Sequence, residues 1–209
     1  MPTANAKNRG YYKIEGAVRA FNFDFRDKIV LDIGSSTGGF TEIALEHGVK
    51  KVIAVEKGTN QMKAPLRYDP RIELHEKTDI FDVKATNTSF ENHKLGRAPL
   101  SVSEDEVFVA IPDIIVADVS FISLTKILKY SKKHLTGKNT AFLVMLKPQF
   151  EARPDQLSKG VVKNERIRRE IIKNFEAWLR TNGFIIVKKR DNDLAGKNGN
   201  LERFYWLTS

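Results

Sequence analysis

Short apolar segments rich in β-branched residues alternate with longer amphipathic segments along most of this chain. The strand-like segments are 28–33, 51–56, 72–75, 113–118 and 140–146, and the helix-like segments are 39–47, 61–67, 124–134 and 165–181. Two further strand-like segments, 184–190 and 203–207, close the chain with no helix between them. Alternating strands and helices predict right-handed crossovers and a parallel sheet with helices on both faces. The last two strands predict an antiparallel pair at one edge, giving an α/β fold with a seven-stranded, mostly parallel sheet.

The domain organisation follows from the chain length and from two polar segments. A length of 209 residues, 41% of them hydrophobic, predicts one domain with a substantial core. Residues 1–10 are polar and are expected to form a flexible N-terminal segment, so the domain is assigned to residues 11–209. Residues 83–110 are long and polar for a loop in a compact domain. Within that loop 107–111 is strand-like, and the role of the loop stays open.

Composition excludes several classes of protein. The chain has no cysteine, and its four histidines lack the spacing of metal ligands, so no metal site is expected. No segment approaches the roughly 18 apolar residues of a membrane span, and the first residues lack the apolar stretch of a secretory signal. These features predict a cytoplasmic protein that does not bind membranes. The net charge of +9 favours a polyanionic partner such as nucleic acid, although a plain basic surface would have the same charge.

A glycine-bearing turn in segment 29–40 (IVLDIGSSTGGF) joins the first predicted strand to a helix. Nucleotides bind at such turns, at the carboxyl ends of the strands of an α/β sheet. The P-loop pattern is absent, and Ser36 replaces the second glycine of the dinucleotide pattern. An acid, Asp32, precedes Gly34 by two residues and suits the cationic amino and sulfonium groups of S-adenosylmethionine. Glu56, at the end of the second strand, is placed to accept hydrogen bonds from ribose hydroxyls, and Asp79 is placed near the adenine.

We therefore expect an S-adenosylmethionine site at this edge of the sheet. Each of these features alone also occurs in turns and strand ends that bind nothing, so the prediction depends on their combination. The candidate cofactor-binding residues are Asp32, Gly34, Ser35, Ser36, Thr37, Gly38, Gly39, Phe40, Glu56, Lys57, Asp79, Ile80 and Asp118.

Two charged residues follow the fourth and fifth predicted strands. Asp118 ends the segment DIIVAD, and Lys147 comes directly after the apolar segment FLVML. A lysine in such an apolar setting needs a partner. In a parallel sheet both side chains are expected at the cofactor edge, where they could form either a purely structural ion pair or part of an active site.

Several motifs make this sequence similar to a known family. They are IGSSTGGFT, VADVSFISL, LKPQFE, the KGVV of 159–162 and the GNLE of 199–202. From about residue 9 to 209 the chain resembles the TlyA-type ribosomal RNA 2′-O-methyltransferases, often labelled haemolysins, which belong to the FtsJ-like RNA ribose methyltransferases. The resemblance implies a Rossmann-like, S-adenosylmethionine-dependent methyltransferase fold. Family members usually begin with a small S4 RNA-binding domain, which has no counterpart in these residues.

The family uses a Lys-Asp-Lys-Glu tetrad, and the resemblance assigns it to Lys13, Asp118, Lys147 and Glu202. Lys13 lies in RGYYK, where Tyr11 replaces the second glycine of the family's Arg-Gly-Gly pattern. Lys147 would act either as the general base for the ribose hydroxyl or as a cation that stabilises the developing alkoxide. Glu202 would orient Lys13 or the target ribose.

The RNA is expected to cross the carboxyl edge of the sheet. The candidate contacts are Lys7, Arg9, Lys13, Phe150, Lys159, Lys163 and Arg166, with Phe121 as a second aromatic that could stack on a base. The alternatives are an RNA-binding relative without methyl transfer and a methyltransferase for a small molecule or a protein.

Overall fold

The computed structural model describes residues 7–86, 106–196 and 199–209. The strands are β1 (Ile29–Ile33), β2 (Lys51–Glu56), β3 (Ile72–Glu76), β4 (Val83–Thr86), β5 (Val107–Ala110), β6 (Ile114–Ala117), β7 (Ala141–Leu146), β8 (Ile185–Asp191) and β9 (Arg203–Thr208). The α-helices are α1 (Arg9–Phe21), α2 (Gly39–Glu46), α3 (Leu124–His134), α4 (Pro148–Glu151) and α5 (Glu165–Thr181). Among the described helices, none is long and apolar enough to cross a membrane.

The main sheet has seven strands in the order β3-β2-β1-β6-β7-β9-β8. All its pairings are parallel except those of β9, which runs antiparallel to both β7 and β8. This confirms the predicted mostly parallel, seven-stranded sheet with an antiparallel C-terminal pair. The order reverses at β1, which pairs with β2 on one side and β6 on the other. A crevice at the carboxyl ends of β1 and β6 follows from this reversal.

Helices cover both faces of the sheet, as the alternating pattern predicts. On one face α3 and α5 contribute Ile127, Phe175 and Leu179 to a buried cluster. On the other face α1 and α2 contribute Ile14 and Ile43. The predicted helix 165–181 matches α5, because its apolar residues recur at helical spacing and Asn164 caps its first turn.

The structure corrects the sequence analysis in two places, in the segment before β1 and in the connection between β2 and β3. Helix α1 begins at Arg9, capped by the Asn8 side chain, so residues 9 and 10 are helical rather than part of a flexible segment. The predicted helix 61–67 is wrong, since only a single 3₁₀ turn, Leu66–Tyr68, forms there. Pro65 lies inside that segment and has no backbone N–H to donate to a helix.

The predicted long loop 83–110 contains two described strands. Val83–Thr86 and Val107–Ala110 pair parallel in a small separate sheet. The strand expected at 107–111 is thereby confirmed, while the rest of the predicted loop, 87–105, lies outside the described residues.

Candidate active site

The glycine turn after β1 owes its conformation to close packing of the backbone. Gly34 and Gly38 have φ values of +76° and +88°, which only glycine adopts without strain. A Cβ on Gly34 would lie 3.3 Å from the Asp118 carbonyl oxygen, and one on Gly39 would lie 2.5 Å from the backbone nitrogen of Tyr11. Gly34 and Gly39 therefore let the end of β6 and helix α1 approach the turn.

A cleft of about 700 Å³ lies at the carboxyl ends of the strands around the reversal of strand order. It brings together predicted residues from five separate segments, namely Gly34, Ser36, Glu56, Lys57, Asp79, Ile80, Asp118 and Lys147. It also contains residues that sequence reasoning missed or did not assign to the cofactor, among them Gln61, Ser120 and Phe121. Ser120 and Phe121 lie two and three residues after Asp118, and this closeness in the sequence is a signal that could have identified them.

Glu56 has a fixed position at one end of the cleft. Its carboxylate accepts hydrogen bonds from the backbone N–H groups of Ser36 (2.9 Å) and Gly58 (2.6 Å), and from Gln61 Nε2 at 3.0 Å. Glu56 therefore joins the loop after β1 to the loop after β2. Gln61 was not predicted to lie in the site, because it belongs to the segment 61–67 that was expected to be helical.

Lys57 and Asp79 form an ion pair at 2.9 Å across the same end of the cleft. Partial burial acts to raise the pKa of the Asp79 carboxyl, but Lys57 and the Phe81 N–H outweigh it and lower that pKa below its usual range. Asp79 is therefore ionised at neutral pH and is an acceptor for a donor group in the cleft.

A second, smaller cavity of about 140 Å³ adjoins the first and shares Gly34, Ser36 and Asp118 with it. Its other lining residues are Arg9, Gly10, Lys13, Ser35, Thr37, Gly39 and Phe40. The buried Ser35 hydroxyl has no hydrogen-bond partner within the described ranges. A buried hydroxyl without a partner beside two cationic side chains suits a bound acceptor such as a carboxylate.

Two lysine–carboxylate pairs meet these cavities. Lys147 Nζ lies 2.6 Å from Asp118 Oδ1 and donates to Ser120 Oγ at 2.8 Å. Lys13 Nζ lies 2.7 Å from Glu202 Oε2. Lys13, Lys147 and Glu202 are at most 9% exposed, and Asp118 lines both cavities. Four residues from distant parts of the sequence thus lie at the same edge of the sheet.

The loop before β9 holds Glu202 in place. Asn200 accepts a hydrogen bond from the Val162 N–H at 3.1 Å and donates one to the Gly160 carbonyl at 3.1 Å. The Asn192 N–H donates to the Glu202 carbonyl at 2.9 Å. The KGVV and GNLE motifs are therefore in direct contact, and this contact helps to hold the loop that carries Glu202.

Asp32 does not line either cavity. Its side chain is 1% exposed, and its Oδ2 accepts a hydrogen bond from the Thr41 hydroxyl at 2.7 Å. Burial raises the pKa of Asp32 to about 7, and the nearby Asp118 and Glu56 act in the same direction against the Thr41 hydrogen bonds. The predicted contact between this acid and the cofactor is thus not supported by the geometry, because the carboxyl faces α2. Gly38 also lies outside the lining of both cavities, since it packs against Leu66 and Met62.

The predicted RNA contacts have different surroundings. Lys7 pairs with Glu42 and Glu46 and lies over the Tyr11 ring, so it joins the residue before the α1 cap to α2, and two acids match its charge. Arg9 donates to the Ala195 carbonyl and lines the smaller cavity. Lys159, Lys163 and Arg166 are exposed.

Two aromatic residues flank the Lys147 side of the cleft. Phe121 is 93% exposed and has a φ of +63°, an uncommon backbone conformation for a bulky residue. Its ring centroid is 5.2 Å from that of Phe150, and Lys147 Nζ lies 5.9 Å from the Phe150 ring centroid. Within the described residues, no group of acidic and histidine side chains could hold a metal ion.

The strand order, the crevice at its reversal and the lysine–carboxylate pairs define a methyltransferase of the Rossmann-like class. The model of the FtsJ-like methyltransferases matches residues 6–209, and the chain belongs to that family. Its methyl donor is S-adenosylmethionine, for which the cleft supplies the polar residues named above.

Relatives and solved structures agree with this assignment. The chain is 38% identical to Hemolysin A of Brachyspira hyodysenteriae over 93% of its own length and 73% of the relative. It is 31% identical to the 16S/23S rRNA (cytidine-2′-O)-methyltransferase TlyA of Mycobacterium tuberculosis, over 96% of this chain and 67% of the relative. A solved structure described as a hemolysin from Streptococcus thermophilus superposes with a TM-score of 0.79 at 32% identity, covering 98% of this chain and 67% of that one.

Proposed function

We propose that this protein is an S-adenosylmethionine-dependent RNA 2′-O-ribose methyltransferase that acts on ribosomal RNA. The observation that carries the proposal is the presence of two buried pairs, Lys147–Asp118 and Lys13–Glu202, at one cofactor cleft. Two relatives named TlyA, both rRNA (cytidine-2′-O)-methyltransferases, support ribosomal RNA as the substrate. The net charge of +9 is in keeping with a polyanionic substrate, and ribosomal RNA implies that the protein acts in the cytoplasm.

The cleft fits the cofactor in size and in chemistry. Its volume of about 700 Å³ lies within the usual range for small-molecule sites. We assign Glu56 and Gln61 to the ribose hydroxyls and Asp79 to the adenine end. The unpaired Ser35 hydroxyl and the cationic Arg9 would hold the methionine carboxylate. When bound, S-adenosylmethionine supplies an electrophilic methyl group on sulfur, and the thioether needs no proton to leave.

The chain must therefore position a ribose 2′-hydroxyl and remove its proton. Lys147 Nζ lies 2.6 Å from the Asp118 carboxylate. As an ammonium group, Lys147 would donate a hydrogen bond to the 2′-oxygen and stabilise the negative charge that develops there. Asp118, the acidic residue that lines both cavities, would accept the hydroxyl proton.

Lys13 would hold the backbone of the target nucleotide beside the hydroxyl. Its ion pair with Glu202 fixes the direction of the ammonium group at the smaller cavity. Phe121, exposed at the mouth of the cleft, would stack on the target base, with Phe150 supporting it from 5.2 Å. Lys159, Lys163 and Arg166 would contact phosphates further along the strand.

The test is methyl transfer to ribosomal RNA from an isotopically labelled cofactor, with the product located by mass spectrometry. We expect a ribose methyl group with the wild type and a loss of about 10²–10³-fold in rate for Lys147→Ala. Lys147→Arg keeps the charge and should retain more of the rate. Lys173→Ala, which removes an exposed lysine of α5, is the matched control and should behave as wild type.

Other outcomes would contradict the proposal in distinct ways. Near-wild-type turnover by Lys147→Ala would remove Lys147 from the reaction. RNA binding without any transfer would indicate a non-catalytic relative, and a labelled small molecule or protein would indicate another substrate. A pH–rate profile that rises through one titration in the wild type and loses it in Lys147→Arg would identify Lys147 as a base instead of a cation.

A further inference from the structure

One face of α3 consists of exposed lysines. The buried residues of this helix are Leu124, Ile127, Leu128 and Ser131, spaced as one face of an α-helix. On the opposite side Lys126, Lys129 and Lys133 are exposed, at the same i, i+3, i+7 spacing. We call these three residues the lysine face of α3. The helix sequence, LTKILKYSKKH, contains no acidic residue.

The charge of the lysine face is not neutralised within the described part of the chain. None of its three ammonium groups forms an ion pair or a hydrogen bond there. In contrast, the exposed side of α5 mixes acidic and basic residues, including Glu165, Arg166 and Glu170. Surface lysines are usually interspersed with acids, so an unmixed face on one helix needs another explanation.

A fourth lysine extends the positive charge toward the end of the helix. Lys84 Nζ donates to the Tyr130 hydroxyl at 3.0 Å and lies 5.0 Å from the centroid of its ring. Partial burial lowers the pKa of the neighbouring His134, and the positive charges of Lys84 and Lys133 lower it further. Within the described residues, the charges that shift the pKa of His134 are therefore positive.

The lysine face begins close to the active-site cleft along the chain. The exposed Phe121 lines the 700 Å³ cavity and precedes α3 by three residues, and Lys126, the first residue of the lysine face, lies in the first turn of that helix. From Lys126 to Lys133 the helix rises about 10 Å, which is long enough to contact more than one phosphate of an RNA strand. A strand with its target nucleotide in the cleft can thus continue along α3.

We propose that the lysine face of α3 binds the phosphate backbone of the RNA substrate beyond the target nucleotide. The proposal rests on the proposed function, because it assumes that RNA occupies the cleft. Charge complementarity favours RNA over a protein partner. Tyr130, the large apolar side chain on this side, is already covered by Phe81, whose ring centroid is 5.0 Å away, and by Lys84. Tyr130 is therefore half-buried and is not an exposed aromatic anchor for a protein interface.

The test compares two triple variants with equal changes in charge. The first, Lys126→Gln/Lys129→Gln/Lys133→Gln, removes the lysine face while keeping good helix formers. The second changes three exposed lysines that precede strands at the opposite edge of the sheet, namely Lys28, Lys50 and Lys138, each to Gln. Circular dichroism and thermal unfolding verify that both variants are folded, and the dissociation constant for ribosomal RNA is then measured from 50 to 200 mM salt.

We expect the lysine-face variant to bind RNA more weakly and with a salt dependence lower in slope by about 2–3. Between 50 and 200 mM salt, the wild type should lose about 30-fold more affinity than this variant. The control variant should keep a wild-type slope, and in the methylation assay the lysine-face variant should show a higher KM for RNA.

The outcomes separate this proposal from the proposed function. Equal affinities and slopes for the wild type and the lysine-face variant would overturn the role of α3, even if methyl transfer continues. Equal losses in both triple variants would also overturn it, because the effect would then be one of net charge alone. If the wild type binds RNA through the lysine face but transfers no methyl group, the proposed function fails while the binding surface stands.

Discussion

Replacement of Asp32 by asparagine should stabilise the protein at neutral and alkaline pH. The Asp32 side chain is 1% exposed, and one of its oxygens, Oδ1, has no hydrogen-bond partner within the described residues. Its other oxygen accepts the Thr41 hydroxyl at 2.7 Å, a hydrogen bond that the asparagine carbonyl can keep. The substitution therefore removes a buried negative charge and leaves the packing nearly unchanged.

The size and the sign of the effect on the free energy of unfolding follow from the pKa of Asp32. Burial raises the pKa of Asp32 from 3.8 to about 7 in the folded protein, so folding favours the protonated form. The ionised Asp32 carboxylate destabilises the folded protein. This destabilisation is absent below the unfolded-state pKa of Asp32, grows as the pH rises and is complete above its folded-state pKa. At pH 8 it amounts to about 4 kcal/mol, and about 3 kcal/mol of this develops between pH 5 and pH 8.

The assay is urea unfolding of the wild type and of Asp32→Asn at pH 5, 6, 7 and 8. The carboxyls whose pKa values are lowered, such as Asp69 and Asp191, contribute equally to both proteins, so they cancel in the difference. The advantage of the variant should increase by about 3 kcal/mol across this range. Thr41→Val, which removes the hydrogen bond to the carboxylate, should make the wild-type pH dependence steeper. A difference in unfolding free energy between the wild type and Asp32→Asn that does not change with pH would refute this reasoning.

Two further substitutions test other contacts. Glu202→Gln leaves Lys13 buried without a carboxylate and should destabilise the protein by about 3–5 kcal/mol in urea unfolding, and should abolish methyl transfer. Adding Lys13→Met should restore stability but not activity, and recovery of both would contradict the proposed role of the pair. Gly39→Ala places a Cβ against Asn8 and the backbone of Tyr11, and should lower stability by about 1–3 kcal/mol through separation of α1 from α2. An unchanged unfolding midpoint would contradict that packing argument.

The sheet and the position of the site could be predicted because both depend on local patterns. The four central parallel strands β1, β2, β6 and β7 are mostly apolar segments, which is how strands buried on both faces are encoded. Asp118 and Lys147 come directly after two of them, so the parallel arrangement alone brings both to one edge. The resemblance added Lys13 and Glu202, which no strand-end argument could supply, since Lys13 lies within a helix and Glu202 precedes an antiparallel strand.

The incorrect predictions concern features that depend on tertiary contacts. The segment 61–67 has helix-forming residues, but the Gln61 N–H and the Arg67 guanidinium both bond to Glu76 instead of continuing a helix. Asp32 was assigned to the cofactor because it precedes the glycine turn, yet the direction of its side chain depends on Thr41. Lys7 was assigned to RNA from its charge alone, and two acids of α2 bind it. In each case the partner is distant in sequence, and spacing does not identify it.

The proposed active site requires both ends of the domain to be folded. Lys13 belongs to the first helix and Glu202 to the loop before the last strand, whereas Asp118 and Lys147 follow adjacent central strands. A buried lysine without its carboxylate is strongly destabilising, so neither Lys13 nor Glu202 is stable in its position until the other is there. Strand β9 begins directly after Glu202 and pairs with β7, the strand that Lys147 follows, and this pairing brings Glu202 to the same edge of the sheet. The antiparallel strand that sets this sheet apart from a fully parallel one is therefore the element that completes the tetrad.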